Sequence, residues 1–249
     1  MAELVHIAVD RGVAAITLDS PHNRNALSQQ LRGELRHHLT TAIDDDRVRV
    51  IVLDHTGPVF CAGMDLKEAG GTASGDQGVN EFPEILDLIR TSPKPVVAKL
   101  AGPARAGGVG IVAAADIAVA ADTATFAFTE VRIGVVPAVI SVTVLPRLAP
   151  RAAHELFLTG ETFDATRAVA IGLINSAVPA DRLDAEVVRY TDMLSKGGPV
   201  ALAATKALLR EPVSDFGSML KLSAEFFASE EGQEGIAAFA QKRNPSWIP

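Results

Sequence analysis

Residues 95–116 read PVVAKLAGPARAGGVGIVAAAD, and they carry an apolar run into a turn of small residues and out into a second apolar run. The first run predicts a buried strand over residues 95–100, and the second predicts a helix from Gly107 to about residue 115. The first N–H groups of a helix lack an acceptor within the helix, and the helix dipole adds positive potential there. The Gly107 N–H is therefore a candidate donor to an oxyanion.

Residues 50–66, VIVLDHTGPVFCAGMDL, repeat this arrangement of a strand followed by a turn of small residues. Ala62 and Gly63 precede Asp65, and their small side chains allow a ligand to approach the backbone closely. We expect an exposed N–H at Ala62. Each turn alone is more typical of a tight structural turn, but the pair of turns favours a shared binding site.

The flanking residues alternate between strand and helix patterns. The patterns predict a hairpin over residues 4–18, a buried strand over 48–53, a helix over 81–90 and a strand over 117–121. Ser28 is a predicted N-cap for a helix with apolar residues at helical spacing. The segment GGTASGDQG, residues 70–78, predicts a weakly ordered, lid-like loop. The alternation predicts an α/β fold.

Helical patterns dominate after about residue 150. Asp164 and Asp181 are predicted helix caps, and a helix is expected to begin at Pro199. An apolar stripe rich in large side chains follows, formed by Phe216, Met219, Leu220, Phe226 and Phe227. Such a stripe packs either on another subunit or within the chain, and its amphipathicity favours neither.

The overall composition argues against several classes of protein. The chain has 249 residues, 48% hydrophobic and 21% charged, which is typical of a soluble globular domain. Its net charge of −7 argues against general nucleic-acid or anionic-membrane binding. We expect a cytoplasmic setting, because there is a single cysteine and no signal-peptide pattern, and no membrane span, because the most apolar stretch is too short.

Segments in order along the chain resemble the enoyl-CoA hydratase/isomerase (crotonase) family. They are NRNALS at residues 23–28, FCAGMDL at 60–66, AGPARAGGVGIVAAADIAVAAD at 101–122, TFAFTEVRIGVVP at 125–137, LTGETFDATRAVAIGLINSAVP at 158–179 and EGIAAFAQKRNPSW at 234–247. The resemblance implies an α/β spiral of strand-strand-helix turns over residues 1–190 and a helical trimerisation region over residues 191–249. It also implies an acyl-CoA thioester as ligand, no cofactor beyond the coenzyme A of the substrate, and a homotrimer or a dimer of trimers.

The resemblance also assigns residues to the site. It places the oxyanion hole at the backbone N–H groups of Ala62 and Gly107, with Gly63 beside them. Around the coenzyme A it places Arg24, Ala26, Asp65, Leu66, Phe239 and Lys242. An acidic protein needs local cations for the phosphates, and the candidates are Arg24, Lys67, Lys242 and Arg243.

The acid and base positions depart from the family pattern. Hydratases of this family carry two glutamates, whereas here the first position is Gly110 and the second matches Glu130. A lone carboxyl in apolar surroundings tends to a raised pKa and can move one proton near neutral pH. Hydration and Δ3,Δ2-enoyl-CoA isomerisation both stay open, since isomerisation needs one carboxyl and hydration needs another group or an ordered water.

Two further functions also stay open. The missing glutamate at Gly110 is compatible with a noncatalytic acyl-CoA binder. Gly108, Gly110 and Ala113 formally match the GxGxxA fingerprint of a nicotinamide-binding oxidoreductase, but the predicted strand ends several residues too early. Cys61 has no histidine in a triad context and the histidines are scattered, so we expect a buried, inert thiol and no metal site.

Overall fold

The computed structural model describes residues 2–69, 81–210 and 215–248. The loop predicted over residues 70–78 lies outside the described residues.

The strands of the described chain form two sheets. Their bounds are β1 Val5–Asp10, β2 Val13–Leu18, β3 Val50–His55, β4 Val96–Leu100, β5 Ala104–Arg105, β6 Ile117–Ala121, β7 Thr125–Ala127, β8 Phe163–Asp164 and β9 Ser176–Val178. The larger sheet has the order β1-β2-β3-β4-β6-β9 and the smaller one the order β5-β7-β8. In the larger sheet β1 pairs antiparallel with β2, and every later pair is parallel.

The strand sequences account for these pairings. Arg11 and Gly12 both have positive φ, 45° and 79°, which is the geometry of a two-residue hairpin turn, and the predicted hairpin is confirmed. The parallel strands β3, β4 and β6 are nearly continuous runs of Val, Ile, Leu and Ala, as expected for strands covered on both faces. β9, which the sequence patterns did not predict, extends this sheet at its far edge.

Helices cover the sheets and form most of the carboxy-terminal region. Their bounds are α1 Gln29–Asp44, α2 Leu66–Ala69, α3 Glu81–Thr91, α4 Gly107–Ala114, α5 Ala138–Val144, α6 Pro150–Thr159, α7 Ala165–Ala170, α8 Leu183–Ser195, α9 Pro199–Leu208, α10 Phe216–Ala228 and α11 Glu230–Gln241. The helix α8 runs across residue 190, so the expected division of the chain there does not fall at the end of an element.

Two of the three predicted caps are confirmed. The side chain of Ser28 accepts from the Leu31 N–H at 3.3 Å, and that of Asp164 accepts from the Arg167 N–H at 2.7 Å. The prediction for Asp181 is wrong. This residue lies in a short 3₁₀ helix, Ala180–Arg182, which intervenes before α8 and leaves that helix without a side-chain cap.

The central and terminal helices differ sharply in burial. Every residue of α4 is buried, because the helix lies inside the main hydrophobic core. In contrast, no residue of α10 is buried, and Phe216 of its apolar stripe is 89% exposed. Across residues 2–69, 81–210 and 215–248, no helix combines the length and apolarity needed to cross a bilayer.

Candidate active site

The two turns singled out from the sequence lie against each other. Cys61 and Ala104 form a parallel bridge, and the Arg105 N–H donates to the Cys61 carbonyl at 3.0 Å. A third segment joins them, because the Leu27 N–H donates to the Gly63 carbonyl at 2.8 Å. Segments that are far apart in the chain therefore converge at the amino-terminal end of α4.

Gly107 presents a free donor at this point. It is the first residue of α4, and its N–H has no acceptor among the residues that the structure describes. A Cβ built on Gly63 would lie 3.4 Å from the Gly107 nitrogen, so the backbone of the first turn passes close to the donor. The preceding Ala106 has φ 47° and ψ −119°, an unfavourable conformation for a residue with a Cβ, and its N–H donates to the Ala127 carbonyl at 3.0 Å.

The Ala62 N–H is engaged within the protein. It donates to the Arg24 carbonyl at 3.1 Å, which corrects the expectation of an exposed N–H at this position. Arg24 has φ 54° and an exposed side chain, so the competing carbonyl belongs to a tight turn at the surface. An anionic ligand oxygen would have to replace this carbonyl to reach Ala62.

Apolar side chains lie close to the Cα of Gly107. A Cβ on Gly107 would lie 3.0 Å from Leu27 Cδ1 and 3.2 Å from Phe82 Cζ. The buried Arg32 supports this wall, since its Nη1 donates to the Leu27 carbonyl at 2.6 Å and its Nε lies 3.5 Å from Glu81 Oε2. The sequence patterns do not single out Leu27, Phe82 or Arg32, because apolar spacing marks a core face without showing which site it adjoins.

Glu130 lies in a 3₁₀ helix, Thr129–Ile133, directly after β7. β7 pairs with β5, which leads into α4, so one small sheet carries both Glu130 and the Gly107 turn. The Oε2 atom of Glu130 is buried and has no hydrogen-bond partner within the described parts of the chain. Burial raises the pKa of Glu130 above its ordinary value. A carboxylate at the open surface would show neither property.

Ile140 occupies the place of a side chain at Gly110. A Cβ built on Gly110 would lie only 2.6 Å from Ile140 Cγ2. Ile140 belongs to α5, which packs on α4, and the Thr143 hydroxyl donates to the Gly110 carbonyl at 3.1 Å. Nothing in the sequence pattern signalled this contact, since Ile140 is thirty residues further along the chain.

Several residues predicted to hold coenzyme A lie in the turns beside Gly63. Arg24 and Leu66 are exposed, and Ala26 is buried. The Asn23 side chain donates to Asp65 Oδ2 at 2.7 Å and so joins the segment 23–28 to the segment 60–66. Burial acts to raise the pKa of Asp65, but hydrogen bonds from Asn23 and from backbone N–H groups lower it below its ordinary value.

The two remaining predicted contacts lie at the carboxy terminus. Phe239 is on α11 and is 88% exposed, and Lys242 forms the carboxy-terminal cap of that helix with φ 55°. Phe239 lines a cavity of about 470 Å³ together with Trp247 and residues of α10 and α11. Their proposed role in nucleotide binding stays a prediction.

Cys61 and the glycine fingerprint have structural explanations. Cys61 is fully buried, and burial raises the pKa of its thiol to about 12, so the prediction of a buried thiol is confirmed. Gly108, Gly110 and Ala113 all lie inside α4. A dinucleotide fingerprint needs its first glycines in the turn between strand and helix, so the nicotinamide alternative lacks its binding turn.

Comparison with known proteins places the chain in a family. The enoyl-CoA hydratase/isomerase family profile matches residues 8–248. The chain therefore belongs to the enoyl-CoA hydratase/isomerase family. The crystal structure of an enoyl-CoA hydratase from Mycobacterium smegmatis is similar, with a TM-score of 0.92, 32% identity and 99% of each chain covered. The predicted crotonase-like α/β fold is confirmed.

Two relatives illustrate the range of names within the family. The mitochondrial enoyl-CoA hydratase domain-containing protein 3 of Rattus norvegicus is 35% identical over 247 residues, covering 95% of this chain and 81% of the relative. The carnitinyl-CoA dehydratase of Proteus mirabilis is 33% identical over 260 residues, covering 99% of each. Because some relatives carry a mitochondrial name, the cytoplasmic setting stays a prediction.

Proposed function

We propose that this chain is an acyl-CoA enzyme that stabilises an enolate and uses Glu130 as its single acid and base. The Oε2 atom of Glu130, which is buried and has no hydrogen-bond partner among the described residues, carries the proposal. A carboxyl with a raised pKa can accept a proton and return it near neutral pH. The names of the similar proteins, an enoyl-CoA hydratase and a carnitinyl-CoA dehydratase, support a CoA thioester as substrate.

The Gly107 N–H is the proposed principal oxyanion donor. Removal of an α-proton sends the electron pair of the C–H bond into the thioester and leaves negative charge on its carbonyl oxygen. A fixed N–H donor at that oxygen is typically worth about 10² to 10³ in rate. The Ala62 N–H is the proposed second donor, available when the ligand oxygen replaces the Arg24 carbonyl that now accepts from it.

Double-bond migration fits a single carboxyl better than hydration does. Glu130 would take a proton from C2 of a 3-enoyl thioester. The resulting Glu130 carboxyl, whose proton can exchange with solvent, would then protonate the dienolate at C4. The product is the conjugated 2-enoyl thioester, and the carboxylate is regenerated. Hydration would need a second group to hold water, and Gly110 supplies no side chain for it. We therefore place Δ3,Δ2-enoyl-CoA isomerisation ahead of hydration.

A parallel assay of crotonyl-CoA and 3-hexenoyl-CoA tests the proposal. Loss of conjugated enoyl absorbance reports hydration of the first substrate, and its appearance reports isomerisation of the second. We expect isomerisation by the native chain. Glu130→Gln should lower its rate by about 10² to 10⁴, since the amide cannot transfer the proton, while binding of the CoA ester persists.

Glu161→Gln is the matched control, because Glu161 is an exposed glutamate in the turn after α6 and should be replaceable without effect. Equal turnover by Glu130→Gln and the native chain would remove Glu130 from the mechanism. Acyl-CoA binding that raises the unfolding temperature without any turnover would instead identify a noncatalytic binder. Stabilisation by NAD but not by acyl-CoA would contradict the whole proposal.

We also propose assembly into trimers or dimers of trimers through the carboxy-terminal helices. The support is the exposure of large apolar side chains there, with Phe216 at 89% and Leu220 at 69%. Such surface is usually covered in a soluble protein. Light scattering should give a mass three or six times that of the chain, and a monomer would contradict the assignment.

A further inference from the structure

The space beside Gly110, which has no side chain of its own, is occupied by the side chain of Ile140. Gly110 lies one helical turn beyond Gly107 on the buried helix α4. A Cβ built there would be 2.6 Å from Ile140 Cγ2, 3.1 Å from Ile140 Cβ and 3.7 Å from Ile140 Cα. All three nearest atoms belong to Ile140, so that residue fills the volume into which a side chain at 110 would project.

The position of Ile140 is firmly held. The residue is 3% exposed, and a β-branched side chain on a helix has essentially one χ1 rotamer. The Thr143 hydroxyl, one turn further along α5, lies 3.1 Å from the Gly110 carbonyl oxygen and 3.2 Å from the Ile140 carbonyl oxygen, so its one proton is shared between α4 and its own helix. Ile140 cannot turn aside to admit a larger group without shifting α5.

The surroundings of Gly110 are therefore poorly suited to holding a water molecule. A buried water needs two to four polar partners. The Gly110 carbonyl oxygen lies 3.1 Å from the Thr143 hydroxyl, and the three atoms nearest the position of a side chain at 110 are carbons of Ile140. Solvent nevertheless has access nearby, because Thr143 also lines an open cleft of about 610 Å³ between α3 and α5.

From this packing we infer that Ile140 is a specificity-determining residue that suppresses water addition. The inference rests on the proposed function, enolate formation with Glu130 as the only base. Ile140 keeps both a second carboxylate and a bound water out of the site, so the intermediate is protonated only by Glu130. The substrates are then thioesters whose double bond or α-proton can move, rather than conjugated enoyl thioesters that accept water.

Isotope labelling of the native chain gives the first test. In D₂O containing ¹⁸O-labelled water, the enzyme with a 3-enoyl-CoA should incorporate deuterium at carbon and no ¹⁸O. Comparable hydration and isomerisation would overturn the role of Ile140 and leave enolate formation intact. Absence of both isotopes, with no effect of Glu130→Gln, would show instead that the proposed function fails, and the inference with it.

A pair of double variants isolates Ile140. Gly110→Glu with Ile140→Ala supplies a carboxylate and the space for it, and should raise the ratio of hydration to isomerisation at least tenfold. Gly110→Glu with Val144→Ala is the matched control, because it adds the same carboxylate and truncates another buried aliphatic residue of α5 while Ile140 stays. The role of Ile140 would be refuted by an equal rise of the hydration ratio in both double variants. It would also be refuted if the variant with Ile140→Ala folds but shows no rise. If either variant does not fold, the isotope-labelling result decides.

Discussion

Gly108→Ala tests the packing that brings the two turns together. A Cβ on Gly108 would lie 2.6 Å from the Cys61 carbonyl oxygen and 2.8 Å from Cys61 Cβ, whereas ordinary contacts begin near 3.4 Å. The carbonyl cannot swing away freely, because it accepts from the Arg105 N–H at 3.0 Å. The turns must therefore separate by about 0.8 Å at this point, the difference between the 3.4 Å and 2.6 Å distances.

We expect this separation to affect stability and activity together. Overpacking of this kind typically costs about 1–3 kcal/mol, and each kcal/mol lowers the unfolding midpoint by about 2–4 °C in a chain of this size. A displacement near 1 Å in a reacting geometry can cost about 10² in rate. Thermal unfolding and kcat/KM for an acyl-CoA substrate measure the two effects.

Gly33→Ala is the control for the substitution itself. A Cβ on Gly33, inside α1, would have no neighbouring atom within 4 Å in the part of the chain that the structure describes. Alanine is the better helix former by about 0.5–1 kcal/mol, so this variant should be more stable than the native chain and equally active. If Gly108→Ala instead had the same unfolding midpoint and the same kcat/KM as the native chain, the close approach of the turns would be refuted.

Three further predictions concern single groups. Glu130→Gln should raise the unfolding temperature at pH 7, because burial holds the pKa of Glu130 above 4.5 and disfavours its charged form. This increase in unfolding temperature should vanish as the pH falls to 4, where the carboxyl is protonated. An increase that did not change with pH would exclude burial of the charge as its cause. Lys206→Met should cost about 3–5 kcal/mol in urea unfolding, because it removes the buried cation that lies 2.7 Å from Asp116 and leaves that carboxylate with the Val96 N–H as its donor. Arg167→Met, at an exposed ion pair, should cost under about 1 kcal/mol. The Cys61 thiol, with its pKa near 12, should react with a thiol reagent only after unfolding, and fast labelling of the native chain would contradict its burial.

Much of the fold follows from local patterns in the sequence. The hairpin needs only Arg11 and Gly12 between two apolar runs, and the start of α1 needs only Ser28 before a helical pattern. These signals succeed because they depend on backbone conformations and hydrogen bonds within a few residues. Asp181 failed as a cap because it lies inside a 3₁₀ turn, Ala180–Arg182, that precedes α8 and resembles a helix start in sequence.

The sequence by itself determined the chemistry available to the site: glycines at the start of a buried helix, a lone glutamate after a strand, and no carboxylate at Gly110. Only the tertiary structure decided that the Ala62 N–H donates to Arg24 and that Ile140 fills the space beside Gly110. The physical reason is that propensity and periodicity act over a few residues, whereas the partner of a buried donor and the occupant of an empty volume are set by packing between segments distant in the chain.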